Sequence, residues 1–181
     1  MLASRYSREL YQFAYRVTNS SAAAEDVVQE TLLRVHTAAA QFDPNRRFKP
    51  WLFTIAANKA RDWLRSRSRK AEVALDAEIG TGGDSRQRLV DVLADERLDV
   101  EDPLELEERR ELIRRIVDAM PPQLCEVLVL AYYHRFPYRE IAEVVGIPLG
   151  TVKSRLHAAV ARFAELYKAA TGEVADAKDK R

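Results

Sequence analysis

The sequence predicts an all-α protein: two small helical domains joined by a flexible acidic linker, the C-terminal one a four-helix unit with a helix-turn-helix. Three observations point there. Apolar residues recur at helical spacing in two separate stretches, strand signals are weak throughout, and charge is segregated along the chain. Residues 1–70 carry 13 Lys/Arg and 6 Asp/Glu, a net +7; residues 71–110 carry 5 and 13, a net −8; residues 111–181 carry 11 and 9, a net +2. Two basic blocks around an acidic one suggest two nucleic-acid-facing modules and a connector that is not. The expected division is 1–70, a linker over 71–103, a second domain over 104–170 and a tail over 171–181.

In the first helix Leu10, Phe13, Ala14 and Val17 fall on one face, and Asn19 and Ser20 break the pattern and offer caps. A second helix is expected over 22–40, with Glu25 and Asp26 near its positive end and Val28, Leu32, Val35 and Ala39 inward. Residues 42–49, FDPNRRFK, read as a loop, and Pro50 suits the first turn of a third helix. There Leu52, Ile55, Ala56 and Trp63 are expected to cluster inward. Thr54, Asn58, Arg61 and Arg65 form an opposite polar stripe, extended by Arg67, Arg69 and Lys70, suited to phosphates and base edges.

From Ala71 to about Pro103 the apolar period disappears, Gly80, Gly82 and Gly83 appear together, and only a short helical piece near Gln87 to Ala94 is expected. Leu112, Ile113, Ile116, Val117 and Met120 then fit one helix, which Pro121 and Pro122 end. Leu124, Val127, Leu128 and Ala131 carry the next, as far as Phe136-Pro137. The segment YREIAEVVGIPLGTVKSRLHAAVARF has the layout of a helix-turn-helix. Ile141, Ala142 and Val145 face inward, Gly146 supplies the turn, and Val152, Leu156, Ala159 and Phe163 anchor the second helix. Its other side shows Thr151, Ser154, His157 and Ala158 flanked by Lys153 and Arg155, a face that fits a major groove. Spacing alone also permits an ordinary pair of packed helices with a solvated basic face.

The composition excludes several classes. Apolar runs such as Val127 to Tyr133 fall far short of the ~20 residues of a membrane span, and the opening MLASRYSREL is polar, so the expected location is cytoplasmic without membrane insertion. A single cysteine, Cys125, allows no internal disulfide or multi-cysteine metal site, and it reads as a buried packing thiol. His36, His134 and His157 are scattered and no phosphate-binding glycine loop is present, so no catalytic residue, metal or cofactor is expected.

Two stretches carry a more specific resemblance: AEDVVQETLLRVHTAAAQFDPNRRFKPWLFTIAANKARDWLR and, later, MPPQLCEVLVLAYYHRFPYREIAEVVGIPLGTVKSRLHAA. In this order and spacing they resemble the two domains of extracytoplasmic-function (ECF) sigma factors, bacterial RNA polymerase specificity subunits. The resemblance implies a protein that binds polymerase core and directs promoter recognition, melting and transcription initiation. It implies that Asp26, Gln29, Glu30, Leu33 and Arg34 dock on the clamp of the largest polymerase subunit. It places Phe42, Arg46, Arg47, Trp51, Asn58, Arg61, Arg65, Arg67 and Arg69 at the minus-ten DNA, with Phe42 and Asn58 at a pocket for an extruded base. It assigns Tyr138, Thr151, Lys153, Ser154, Arg155 and His157 to the minus-thirty-five DNA. Further partners implied are the flap of the second-largest subunit and, as in many relatives, an anti-sigma factor between the two domains. The sequence departs from the family where Ala158 and Val160 replace arginines common in relatives. Two other readings are a stand-alone helix-turn-helix regulator, which would bind its DNA tightly unaided, and a module that only binds protein partners.

Overall fold

The computed structural model describes residues 2–74 and 103–172, and among them every regular element is helical. The expected acidic connector and the helical piece near Gln87 lie almost wholly outside the described residues, as does the tail beyond Gly172. Three helices form the N-terminal half: α1 (Leu2–Thr18), α2 (Ser21–Ala38) and α3 (Phe48–Ala74). Four form the C-terminal half: α4 (Pro103–Asp118), α5 (Pro122–Leu128), α6 (Tyr138–Val145) and α7 (Leu149–Thr171).

Helix α1 ends as its sequence dictates. Asn19 adopts a left-handed φ of 50°, and the Ser20 hydroxyl accepts a bond from the Ala23 N–H at 3.3 Å, capping α2. Leu10, Phe13, Ala14 and Val17 are all buried, so the predicted stripe is the real one.

The other two inward faces differ from expectation. On α2 the fully buried positions are Ala23, Ala24, Val27, Thr31 and Ala38, while Val28, Leu32 and Val35 are half-buried and Ala39 is exposed. The face is rotated by about one residue because small alanines let α2 approach α1 closely, which a count of large apolar residues overlooks. On α3 the buried set is Leu52, Phe53, Ala56, Ala57 and Ala60; Ile55 and Trp63 are only half-buried. This helix packs against α1 and α2 on one side and α6 on another, so it buries a wider arc than a surface helix would. It also starts at Phe48 and runs to Ala74, past the expected boundary.

Pro122 opens α5 at its first position, as its missing N–H allows. The helix then widens into a π-helical turn over Val129–Tyr133, closed by His134 N–H to the Val129 carbonyl at 3.1 Å. The sequence did not announce this wider turn, which sets the register that buries His134 while Tyr132 stays exposed.

In the helix-turn-helix, Gly146 sits at φ 72° and its N–H returns to the Ala142 carbonyl at 2.9 Å. A Cβ there would meet nothing within 4 Å, so the requirement for glycine is backbone conformation and not space. Gly146→Val is therefore expected to cost about 1–2 kcal/mol in thermal unfolding, and Gly146→Asn only a fraction of that. Equal melting temperatures for both variants would refute this account.

The two halves share one continuous core, running from Leu10, Phe13 and Phe53 through Leu130 and Phe136 to Ile141, Val152 and Leu156. Phe53 meets Phe136 edge-on at 5.1 Å and His134 at 4.9 Å, and the Cys125 thiol donates to the Arg16 carbonyl at 3.2 Å. Burial pushes that thiol up to about 12, consistent with a packing role.

Candidate nucleic-acid interface

On α2 the side chains of Asp26, Gln29, Glu30, Leu33 and Arg34 all reach solvent. Leu33 is 64% exposed in the middle of this charged surface, unusual for a leucine without a partner. Glu30 is paired across to Lys59 of α3 at 2.5 Å.

Between the C-terminal part of α2 and the first half of α3 lies a cleft of about 510 Å³, lined by Arg34, Ala38, Trp51, Ile55, Asn58 and Lys59. Aromatic rings flank it: Phe42 lies 4.8 Å from Trp51 and 5.7 Å from Phe48, which is itself 5.7 Å from Trp51. The preceding loop is held by an Asx turn, with Asn45 N–H donating to the Asp43 carboxylate at 3.0 Å, and it leaves Arg46 and Arg47 exposed. An aromatic wall, an amide and two cations around one cleft suit a planar base attached to a phosphate.

The predicted stripe on α3 divides in two. Arg65, Arg67 and Arg69 are exposed, although Arg65 pairs with Asp62 at 3.0 Å and Arg67 lies over the Trp63 ring at 5.5 Å. Arg61 turns instead toward the C-terminal half. Its Nη1 donates to the Val145 carbonyl at 3.0 Å, its Nη2 to Asn58 Oδ1 at 2.8 Å, and its Nε lies 3.5 Å from Glu126 Oε1.

On the helix-turn-helix Tyr138, Lys153, Ser154 and His157 are exposed, and Thr151 and Arg155 are half-buried. Ser154 Oγ donates to the Thr151 carbonyl at 3.1 Å, which anchors the first turn of α7. Ala158 and Val160 are also exposed, so apolar side chains face solvent on this part of α7. The predicted residues thus form three surfaces: one on α2, one along the cleft and α3, and one on α7.

Sequence reasoning missed three participants. Lys59 lines the cleft, and Glu126 and His134 are buried where the halves meet. Burial raises the Glu126 carboxyl above its ordinary range, opposed by the positive charges of Arg61 and Arg155. A carboxylate inside the apolar run LCEVLVL was the available signal. Among the described residues no group of His, Cys, Asp and Glu could hold a metal ion, and no helix is long and apolar enough to cross a membrane.

Comparison with known proteins agrees with this layout. The Sigma-70 region 2 family matches residues 2–70, and the Sigma-70 region 4 family matches residues 110–163. The chain is 34% identical over 152 residues to the ECF RNA polymerase sigma factor SigW of Bacillus subtilis, covering 84% of this chain and 79% of that one. It is 35% identical over 163 residues to the ECF sigma factor SigL of Mycobacterium tuberculosis, covering 88% and 82%. Among solved structures it resembles the sigma factor RpoE of Bartonella quintana, crystallised with the anti-sigma factor NepR: 25% identity, TM-score 0.67, 90% of this chain and 91% of that one. It also resembles CnrH in complex with the cytosolic domain of CnrY, at 26% identity and a TM-score of 0.61, covering 93% and 86%.

The chain belongs to the extracytoplasmic-function family of RNA polymerase sigma factors. It is accordingly a transcription-initiation subunit that works with polymerase core on promoter DNA, in a family whose members are initiation factors and not enzymes.

Proposed function

We propose that each of the three surfaces has one task, with 1–70 and 104–170 as the two working domains and the acidic connector between them. Asp26, Gln29, Glu30, Leu33 and Arg34 dock on the clamp of the largest polymerase subunit. The exposed Leu33 is the apolar anchor within a polar rim, the usual anatomy of a binding hot spot. The cleft beside Phe42, Trp51 and Asn58 receives a base extruded from the minus-ten element. Arg46, Arg47, Arg61, Arg65, Arg67 and Arg69 hold the neighbouring backbone. Extrusion costs a few kcal/mol, and stacking on an aromatic ring returns about 1–3 kcal/mol per base. Arg34 lines the cleft as well as belonging to the docking face, so core binding and base capture share one helix.

Tyr138, Thr151, Lys153, Ser154, Arg155 and His157 read the minus-thirty-five element. The flap of the second-largest subunit supports this half, an anti-sigma factor is a further partner, and the protein acts in the cytoplasm without chemistry of its own. The observation that carries the reading is the cleft: an aromatic ring, Asn58 and the cations Arg34 and Lys59 in its lining, near a row of exposed arginines.

The test is reconstitution with bacterial core polymerase and a library of promoter fragments. Specific fragments are expected to be transcribed above the core-only background, and the reading fails if none is. Lys153→Glu with Ser154→Glu, both on exposed positions, is expected to cut transcription from minus-thirty-five-dependent fragments at least tenfold while core binding persists.

A further inference from the structure

We propose that the cleft selects its base by hydrogen-bond donors: it takes an extruded base that carries a keto oxygen, guanine or thymine, in preference to the amino bases adenine and cytosine, and Asn58, Lys59 and Arg34 set that choice. The inference rests on the assignment of the cleft to an extruded minus-ten base made above.

The polar side chains in the lining are Arg34, Trp51, Asn58 and Lys59. Guanidinium, ammonium and indole N–H groups donate and do not accept. Lys59 gives one donor to Glu30 at 2.5 Å, and Glu30 itself does not line the cleft. An ammonium has three donors, so two stay available. The backbone at this end is in use as well: α2 passes at Ala38 into a tighter turn over Ala39–Gln41, where the Phe42 N–H donates to the Ala39 carbonyl at 3.3 Å.

Asn58 alone has both kinds of group, and its neighbour decides which one is free. Arg61 Nη2 lies 2.8 Å from the Asn58 side chain, and because a guanidinium carries donors only, the atom facing it is the oxygen, Oδ1. The same guanidinium donates through Nε to the Ala57 carbonyl at 3.1 Å. Both bonds lie within α3, so they orient the amide without help from the other half. With Oδ1 engaged beside a cation, the group left to Asn58 is its Nδ2 amino, a further donor.

A lining of donors discriminates between bases. Guanine offers the acceptors O6 and N7 and thymine offers O4, whereas adenine and cytosine place an exocyclic amino donor at the corresponding position. There it would face Asn58, Lys59 or Arg34 donor against donor and leave both groups unpaired. Trp51, with Phe42 4.8 Å from it, stacks on any base and so holds without selecting.

The experiment assembles the full chain with bacterial core polymerase on promoter fragments whose minus-ten element is randomised, each with a barcode in its transcribed part. Sequencing the transcripts gives the preference at every position as a ratio within one reaction, so changes in folding or core binding cancel. In the parent, one position is expected to favour guanine or thymine over adenine and cytosine about tenfold. Asn58→Asp keeps an oxygen for Arg61 and replaces the amino group by an acceptor, and it is expected to reverse the preference at that position alone. Lys59→Met removes donors without adding an acceptor and is expected to flatten the preference about threefold without reversing it. If the position that responds to Asn58→Asp favours adenine or cytosine in the parent, the keto selection is overturned while base capture in the cleft stands. If Asn58→Asp alters no position, the assignment of the cleft to a base falls and the selection falls with it.

Discussion

Phe13→Ala is expected to lower the free energy of unfolding by about 3–5 kcal/mol, the usual cost of emptying a phenylalanine-sized site in a packed core. Phe13 is fully buried, lies 5.5 Å edge-on from Phe53 and 6.0 Å from His134, and so fills the point where α1, α3 and the C-terminal half meet. Against a total stability of about 5–15 kcal/mol the loss is large, and the melting temperature should fall by roughly 10 °C. Phe13→Leu keeps most of the volume and is expected to cost below about 1.5 kcal/mol. Phe42→Ala, at a half-buried ring beside Trp51, should lower melting much less than Phe13→Ala yet reduce promoter opening. A Phe13→Ala variant that melts within a degree or two of the parent would show that α1 does not close on the rest of the core.

The contrast between Phe13 and Phe42 also marks how far the sequence could be read. Phe13 belongs to an i, i+3, i+4, i+7 pattern, and such a pattern names a buried face without knowledge of what covers it. The stripes of α1 and the helix-turn-helix were legible for this reason, as were the stops at Asn19, Pro121 and Gly146, whose backbone preferences are local. The faces of α2 and α3 were not, because alanines at Ala23, Ala24, Ala56, Ala57 and Ala60 bury by closeness and carry little hydrophobic weight. The π-helical turn at Val129–Tyr133 was illegible as well, since no residue type marks it.

The candidate residues were legible as types and positions but not as partnerships. A basic stripe on α3 follows from spacing, whereas the turning of Arg61 toward Val145 and Glu126 depends on helices 65 to 84 residues further along the chain. The charge pattern suggested two modules joined by an acidic connector and said nothing of contact between them. The contacts of Phe53 with His134 and Phe136 join them, and long-range pairings of this kind leave no trace in a local window. Arg34 shows the same limit from the other side. Its place on α2 suggested docking alone, and its place on the cleft appears only once α2 and α3 are packed.

Acidification is expected to destabilise the closed structure through His134, and the sign follows from its surroundings. The ring is buried among Phe13, Phe53 and Tyr133, and burial, reinforced by the charges of Arg16 and Lys49, lowers its pKa from 6.5 to about 3. Glu9, with a carboxylate oxygen 4.0 Å from Nδ1, favours the protonated ring but does not reverse that balance. An imidazole that is hard to protonate when folded contributes fully above its unfolded pKa, and this contribution is lost as pH falls through the window from 6.5 toward 3. At pH 4.5, about two units below the unfolded value, the loss is on the order of 3 kcal/mol. Glu126 and Asp118, whose carboxyls burial pushes up, titrate in the opposite sense, so the effect of His134 is read as a difference. Urea unfolding of the parent and of His134→Leu should give stabilities that diverge as pH is lowered from 7 to 4.5, the parent losing more. Parallel stability curves over that range would mean that His134 meets water or a proton acceptor in the folded chain, and the seam between the halves would then be looser than its packing implies.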